Sequence, residues 1–99
     1  MDDLITLVAD TYQKQESGAH IPRETQRQVW ATLASVTRQE FLGAGREGLN
    51  PELVATTPLV NYGGERTAII RGKRYGIYRT YLAPESDSIE LYLEGKAGA

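Results

Sequence analysis

Apolar and polar residues alternate most regularly in the second half of the chain. From 89 to 93, isoleucine and leucine alternate with glutamate and tyrosine, which predicts a strand with one buried face. Two more β-prone runs, 68–70 and 73–82, are separated by Arg71-Gly72, a spacing typical of a tight hairpin. Three antiparallel strands are therefore predicted here, with the turn 83–87 before the last of them.

The second strand of this hairpin is rich in tyrosine. A period of two residues places Tyr75, Ile77 and Tyr81 on one face and Tyr78 on the other. Gly76 lies inside the strand and predicts a bulge or a close backbone approach.

The first half of the chain predicts a long hairpin. A strand over 4–9 is followed by a polar stretch, 12–23, whose tip (15–20) we expect to be mobile. Residues 25–36 begin polar and become apolar, which predicts a strand that projects from the body and then enters the core. The residues predicted to be buried together are Trp30, Leu33, Ile77, Leu91 and Leu93.

A short helix is predicted over 37–46. Thr37 and Glu40 match a capping box, in which the threonine accepts from the first turn and the glutamate reaches back to the threonine amide. Three glycines within six positions and then Pro51 predict its end. Each interior glycine costs about 0.5–1 kcal/mol relative to alanine, so segment 35–49 is predicted to be the least stable ordered part.

These elements, with a further strand over 52–57, predict a mainly β fold. We expect one small β-barrel of five or six antiparallel strands, with the short helix between strands 2 and 3. The domain is predicted to span 1–94, followed by a flexible tail, 95–99.

Composition narrows the function classes. The chain has 99 residues, of which 40% are hydrophobic, and association with further copies would add burial to so small a domain. The net charge of −2 provides no global field for nucleic acid or an anionic membrane. The absence of cysteine excludes disulfides and thiolate metal sites. An acidic start without a long apolar run predicts no signal peptide and no membrane span, so the cytoplasm is the expected compartment.

Two patterns resemble sites of known chemistry. Residues 43–48 match G-x-G-x-x-G, but a helix precedes the match and Pro51 follows it, so a glycine-rich helix exit is the better interpretation. His20 is the only histidine and is interpreted as a solvated loop residue, because a zinc site or a catalytic triad would need further partners near it. No catalytic residue, metal or cofactor is predicted.

Charges of opposite sign are separated in the second half. The basic residues of the 66–82 hairpin are Arg66, Arg71, Lys73, Arg74 and Arg79. The acidic residues of the last strand and its turn are Glu85, Asp87, Glu90 and Glu94. Three interpretations stay open: pairing between the adjacent strands, contact with the acidic face of a neighbouring copy, and a phosphate-facing patch beside Tyr75 and Tyr78.

The order of these features resembles the head-tail joining family of tailed bacteriophages, also called head-closure, stopper or head-tail adaptor proteins. The matching segments are 5–7, 29–31, 35–41, 44–45, 70–78 and 90–93, with the long polar hairpin after the first of them. The match covers about 90 residues. The departure is at 52–65, where many relatives carry a more regular, basic strand.

This resemblance implies a non-enzymatic structural protein of a phage or prophage, located in the virion connector and in the host cytoplasm during assembly. It implies a homo-oligomeric ring between portal-adaptor and tail-terminator proteins, with double-stranded DNA passing through the channel without sequence specificity. The segment implied to face and help close that channel contains Ser35, Thr37, Arg38, Glu40, Phe41, Leu42, Gly43, Gly45, Arg46 and Gly48. The hairpin expected to contact a neighbouring subunit contains Arg66, Arg71, Lys73, Arg74, Tyr75, Tyr78 and Arg79. The alternative is a monomeric nucleic-acid-binding module that uses this basic, tyrosine-rich hairpin.

Overall fold

The computed structural model describes residues 2–14, 18 and 20–95, and the side chains of 2–10, 18 and 23–95. The strands are β1 (Asp2–Lys14), β2 (His20–Ser35), β3 (Pro51–Pro58), β4 (Thr67–Ile70), β5 (Lys73–Tyr81) and β6 (Ser88–Gly95). The helix α1 (Arg38–Gly45) follows β2, and a 3₁₀ turn (Leu59–Asn61) follows β3. Within the described residues the six strands pair antiparallel and close into a barrel in the order β1-β2-β3-β6-β5-β4. The predicted small barrel with a helix between strands 2 and 3 is confirmed.

The core fills the barrel with inward-facing residues from all six strands. They are Ile5, Leu7, Val29, Ala31, Ala55, Ala68, Ile70, Tyr75, Ile89, Leu91 and Leu93. Along β6 the buried positions 89, 91 and 93 alternate with half-buried ones, as the sequence predicts. Closure leaves the last strand with a neighbour on each side, so its inward side chains are buried, Leu91 and Leu93 completely.

The predicted burial of Trp30 is wrong. Its side chain is 63% exposed, whereas its neighbours Val29 and Ala31 enter the core. Successive side chains of a strand point to opposite faces, so the direction of one side chain determines the direction of all the others in that strand. Leu33 therefore points inward with Val29 and Ala31, and it packs against the core while only partly buried.

The first hairpin is longer than predicted. The β1–β2 ladder runs from Asp2 opposite Thr32 to Lys14 opposite His20, so His20 begins a strand instead of lying in a turn. Within the described residues, β1 pairs with β4 at 6–8, and β2 pairs with β3 at 32–35. The outer part of the hairpin is thus a two-stranded arm. Of the tip predicted to be mobile (15–20), residues 15–17 and 19 lie outside the described residues.

The β4–β5 hairpin has the predicted two-residue turn. Arg71 and Gly72 both have positive φ, 52° and 81°, as a type I′ turn requires. The bulge lies at Tyr78 and not at Gly76, because the β5–β6 register shifts between Ile77 and Arg79. Gly76 pairs regularly with a residue on each side.

The bulge reverses the predicted alternation in the second half of β5. Tyr75 and Ile77 point inward as predicted, and Ile77 is partly buried against the core. Tyr81 is 47% exposed, because the extra residue at Tyr78 exchanges the faces of the residues that follow it.

The segment 52–65 divides into two parts. Residues 51–58 form β3, which pairs with β2 and β6. The following loop is held by Glu65, whose carboxylate accepts from Arg27 Nε at 2.8 Å and from the Gly63 amide at 2.7 Å. Gly95, assigned above to the tail, ends β6, and 96–99 lie outside the described residues.

Candidate functional site

Helix α1 begins at the threonine that the sequence indicates. Thr37 is the N-cap, and its hydroxyl oxygen accepts from the Glu40 amide at 3.1 Å. This satisfies one of the free amides of the first turn. The reciprocal half of the predicted capping box is wrong, because the Glu40 carboxylate is bonded elsewhere.

The turn that ends the helix has one glycine with a positive φ. The Leu49 amide donates to the Ala44 carbonyl at 3.1 Å, and Gly48 in this turn has φ +81°. Gly43 and Gly45 lie within α1, and open space surrounds the position of an added Cβ at each. The six-residue glycine pattern therefore forms the last turn and the exit of a helix.

Apolar burial contributes little to holding α1 against the barrel. Ala44 is its buried residue, whereas Phe41 and Leu42 are 50% and 51% exposed. Leu42 lies on the face opposite Ala44, whereas Phe41, three residues before Ala44, lies at the edge of the buried face and is still half exposed. Polar contacts must therefore hold this helix.

Glu40 provides these contacts from the inner face of the helix. Its carboxylate accepts from Tyr78 Oη at 2.6 Å and from both Arg79 Nε, at 3.2 Å, and Arg79 Nη2. The Arg79 guanidinium lies 3.8 Å from the centroid of the Tyr92 ring on β6. We call Glu40, Tyr78, Arg79 and Tyr92 the helix latch.

The bulge in β5 makes the latch possible. Consecutive residues of a regular strand point to opposite faces, so Tyr78 and Arg79 could not normally reach one carboxylate. The register shift leaves Tyr78 as an extra residue and directs both side chains to the outside of the barrel.

The latch also shifts the pKa values of its members. Hydrogen bonds from Arg79 and then from Tyr78 lower the pKa of Glu40 below its ordinary value. Burial, together with the bond to Glu40, raises the pKa of Tyr78 well above that of a free tyrosine. At neutral pH the carboxylate is therefore charged and the phenol is protonated, as the bond between them requires.

The basic residues of the 66–82 hairpin pair with acids from four other segments. Their partners are Asp3 for Arg71 (2.6 Å), Glu52 for Lys73 (3.3 Å), Glu24 for Arg74 (3.0 Å) and Glu40 for Arg79. The interpretation that these cations pair with the acidic residues of the last strand is therefore wrong, because their carboxylate partners lie in other segments. Arg66 is exposed and forms no ion pair with any described side chain.

Tyr75 and Tyr78 of the hairpin are separated by the barrel wall. Tyr75 belongs to the core, whereas Tyr78 lies outside in the latch. Tyr75 also lines a cavity of about 470 Å³ at the end of the barrel that carries the β4–β5 turn. Leu33, Leu53 and Ile70 line it too, and Arg71 and Lys73 lie at its polar rim. The sequence gives no signal for this cavity, because its lining residues are far apart along the chain.

The residues of the predicted channel segment extend from the end of β2 over both faces of α1. Ser35 ends β2 and Thr37 caps the helix, while Glu40 faces the barrel. The outward face carries Arg38, Phe41, Leu42, Gly45 and Arg46. The structure thus brings Glu40 of this segment together with Tyr78 and Arg79 of the hairpin, a contact that neither sequence pattern indicates.

In the part of the chain that the structure describes, no three acidic or histidine side chains are grouped as metal ligands. None of the helical segments described is long and apolar enough to span a bilayer. Comparison with protein-family models and with curated proteins finds no match to this chain.

Proposed function

We propose that this protein is a non-enzymatic structural component of a tailed-phage or prophage head-to-tail connector. In this role it forms a ring that joins head to tail and helps to close the DNA channel after packaging. The observation that carries the proposal is a closed barrel that presents a helix between β2 and β3. This is the architecture that the resemblance to head-closure proteins implies.

The attachment of α1 supports a role as the moving element. A helix held by one carboxylate can leave the barrel without exposing the core, because Ala44 is its buried residue. The barrel retains its own core when the helix moves. A closing element needs this independence from the body that carries it.

The charge pairing argues against the alternative of a nucleic-acid-binding module. Four of the five hairpin cations are each within salt-bridge distance of a carboxylate. Tyr75 is turned into the core and offers no face on which a base could stack. Single-strand binding uses several unpaired cations and stacking rings, whereas this hairpin offers one unpaired cation, Arg66, and one exposed ring, Tyr81.

Electron microscopy of the protein mixed with a purified portal-adaptor complex tests the proposal. We expect an additional ring of density on the tail-proximal face of the complex. Duplex DNA binding, measured in parallel over a range of salt concentrations, should be weak. If the protein adds no density to the complex and binds DNA with a steep salt dependence, it is a nucleic-acid-binding module instead.

A further inference from the structure

An apolar row crosses the outside of the barrel at β1, β2 and the end of β3. Leu4 is directly opposite Trp30 in the β1–β2 ladder. The Thr57 hydroxyl donates to the Trp30 carbonyl at 2.8 Å, and Trp30 and Pro58 line one groove. Val60, in the turn that follows at once, is 88% exposed. We call Leu4, Trp30, Pro58 and Val60 the β2 patch.

The neighbouring row of outward residues is acidic. Asp2, which lines the same groove as Trp30, is opposite Thr32 and accepts from its hydroxyl at 2.7 Å. Thr32 is opposite Thr56, which is opposite Glu90 on β6. No arginine or lysine lines this groove among the described residues.

A further acid lies at the other end of the patch. The Leu59 amide donates to the Asp87 carbonyl at 2.7 Å, which places exposed Asp87 beside the turn that carries Val60. The β2 patch is therefore an apolar surface with acidic borders.

The outward face of α1 has the complementary character. A spacing of three, four and eight residues places Arg38, Phe41, Leu42 and Arg46 on one side of the helix. We call these four residues the helix stripe. Its two apolar side chains are half exposed, and its two arginines form no ion pair with any described side chain. The stripe is an apolar surface with basic ends.

The two surfaces lie apart on the same molecule. The latch fixes α1 to β5, and α1 also contacts β3. The helix follows the end of β2 at Ser35, which pairs with Leu53, whereas the patch residues Trp30 and Pro58 each lie five positions away along these strands. One copy therefore cannot use its own stripe to cover its own patch while the latch holds. Two unlike surfaces on one subunit give head-to-tail contacts, which form a ring when the rotation from copy to copy closes.

We propose that the helix stripe of one copy packs on the β2 patch of the next copy in the ring. Phe41 and Leu42 cover Trp30, and the two arginines reach the acidic borders of the patch. An exposed tryptophan at the centre of an apolar surface is the side chain most often found to dominate such contacts. This inference rests on the proposed ring and names the surfaces that build it.

Cross-linking tests the contact, even if free copies associate only briefly. The chain has no cysteine, so Leu4→Cys and Leu42→Cys each introduce a single thiol within one of the two surfaces. A mixture of the two variants should form disulfide-linked dimers faster than either variant alone. The control replaces Leu4→Cys with Leu82→Cys, a comparably exposed leucine outside both surfaces. A mixture that links no faster than this control would overturn the proposal.

A charge introduced into either surface gives the second test. In the cysteine mixture, Trp30→Glu on the Leu4→Cys chain should slow linking by roughly tenfold or more, as expected for a central interface aromatic. The same substitution on the Leu42→Cys chain should have no effect, because that chain contributes its stripe and not its patch. Equal slowing by both placements would mean that like surfaces meet, which contradicts the head-to-tail contact.

The connector experiment separates this inference from the proposed function. If Trp30→Glu still adds a complete ring to the portal-adaptor complex, the function stands and the contact proposed here is wrong. If the parent protein adds no ring at all while the cysteine pair still links, the contact is right and the connector role is wrong.

Discussion

The barrel and the helix α1 are held together by different physical means. Eleven buried residues from six strands stabilise the barrel through apolar burial, which needs no particular partner for any one side chain. The helix buries Ala44 and depends on a carboxylate bonded to Tyr78 and Arg79. Burial gives the barrel cooperative stability, whereas directional bonds give the helix a contact that a single group can release.

Truncation inside the barrel should have the largest effect. Leu91 is fully buried on the last strand, so Leu91→Ala should lower the free energy of unfolding by about 2–5 kcal/mol. Urea denaturation followed by circular dichroism measures the loss. Trp30→Ala is the matched control on the outer face and should change this free energy by less than about 1 kcal/mol. Equal losses for the two variants would contradict the assignment of the inner and outer faces.

Removal of the latch charge should release the helix and leave the barrel folded. Glu40→Gln weakens the bonds to Arg79 and Tyr78, and we expect it to destabilise the docked helix by about 1–2 kcal/mol, because Arg79 is partly solvated. Amide exchange over 38–46 should become faster while exchange in β6 is unchanged.

Glu47→Gln is the control for this variant. Glu47 lines a cleft together with Glu40, Tyr78 and Arg79, but its side chain accepts no hydrogen bond from a described donor. If both variants exchange alike, the latch does not hold the helix.

Acid should release the same contact without a mutation. The pKa of Glu40 is lowered in the folded protein, so its contribution to stability is present above the ordinary carboxyl pKa of 4.5 and is lost as the pH falls through the lower folded value. The amide exchange of α1, corrected for intrinsic rates, should therefore increase below about pH 4.5. In Glu40→Gln this additional increase should be absent. An unchanged pH profile in that variant would assign the titration to another group.

Glycine replacement should have the smallest effect and the opposite sign. Gly43→Ala and Gly45→Ala should each stabilise α1 by about 0.5–1 kcal/mol, because both positions are helical and have room for a methyl group. Slower amide exchange in the helix is the measurement. Gly48→Ala should destabilise the helix exit, since Gly48 has φ +81°. A gain from all three substitutions would show that the exit conformation is not required.

The sequence predicts those features that depend on neighbours along the chain. The Arg71-Gly72 turn, the alternation of β6 and the Thr37 cap each need only a few consecutive residues. The inward face of β2 could not be predicted correctly, because the consecutive residues Val29, Trp30 and Ala31 are all apolar. Either face of the strand could therefore point inward, and only the closed barrel shows that Val29 and Ala31 do.

The latch could not be predicted for a related reason. Glu40 and Tyr78 are 38 residues apart, and a bulge of one residue decides whether Tyr78 faces outward. The local pattern indicated a capping box, in which Glu40 would have bonded its own helix. The carboxylate instead binds two side chains of β5, and the spacing of residues 37–40 contains no information about them.

The short pairing of β1 with β4 has a consequence for how the barrel forms. Thr6 is opposite Ile69, Leu7 opposite Ala68 and Val8 opposite Thr67, so these few rungs join segments about 60 residues apart. The first hairpin and the 67–81 hairpin each connect near neighbours and can form early, whereas this seam must close a long loop. We expect the seam to form last during folding, which pulsed amide exchange would detect as late protection of 67–69. The chain therefore folds by way of an open, curved sheet. Until β1 and β4 pair, the concave side of this sheet exposes to water the residues that later form the core of the barrel.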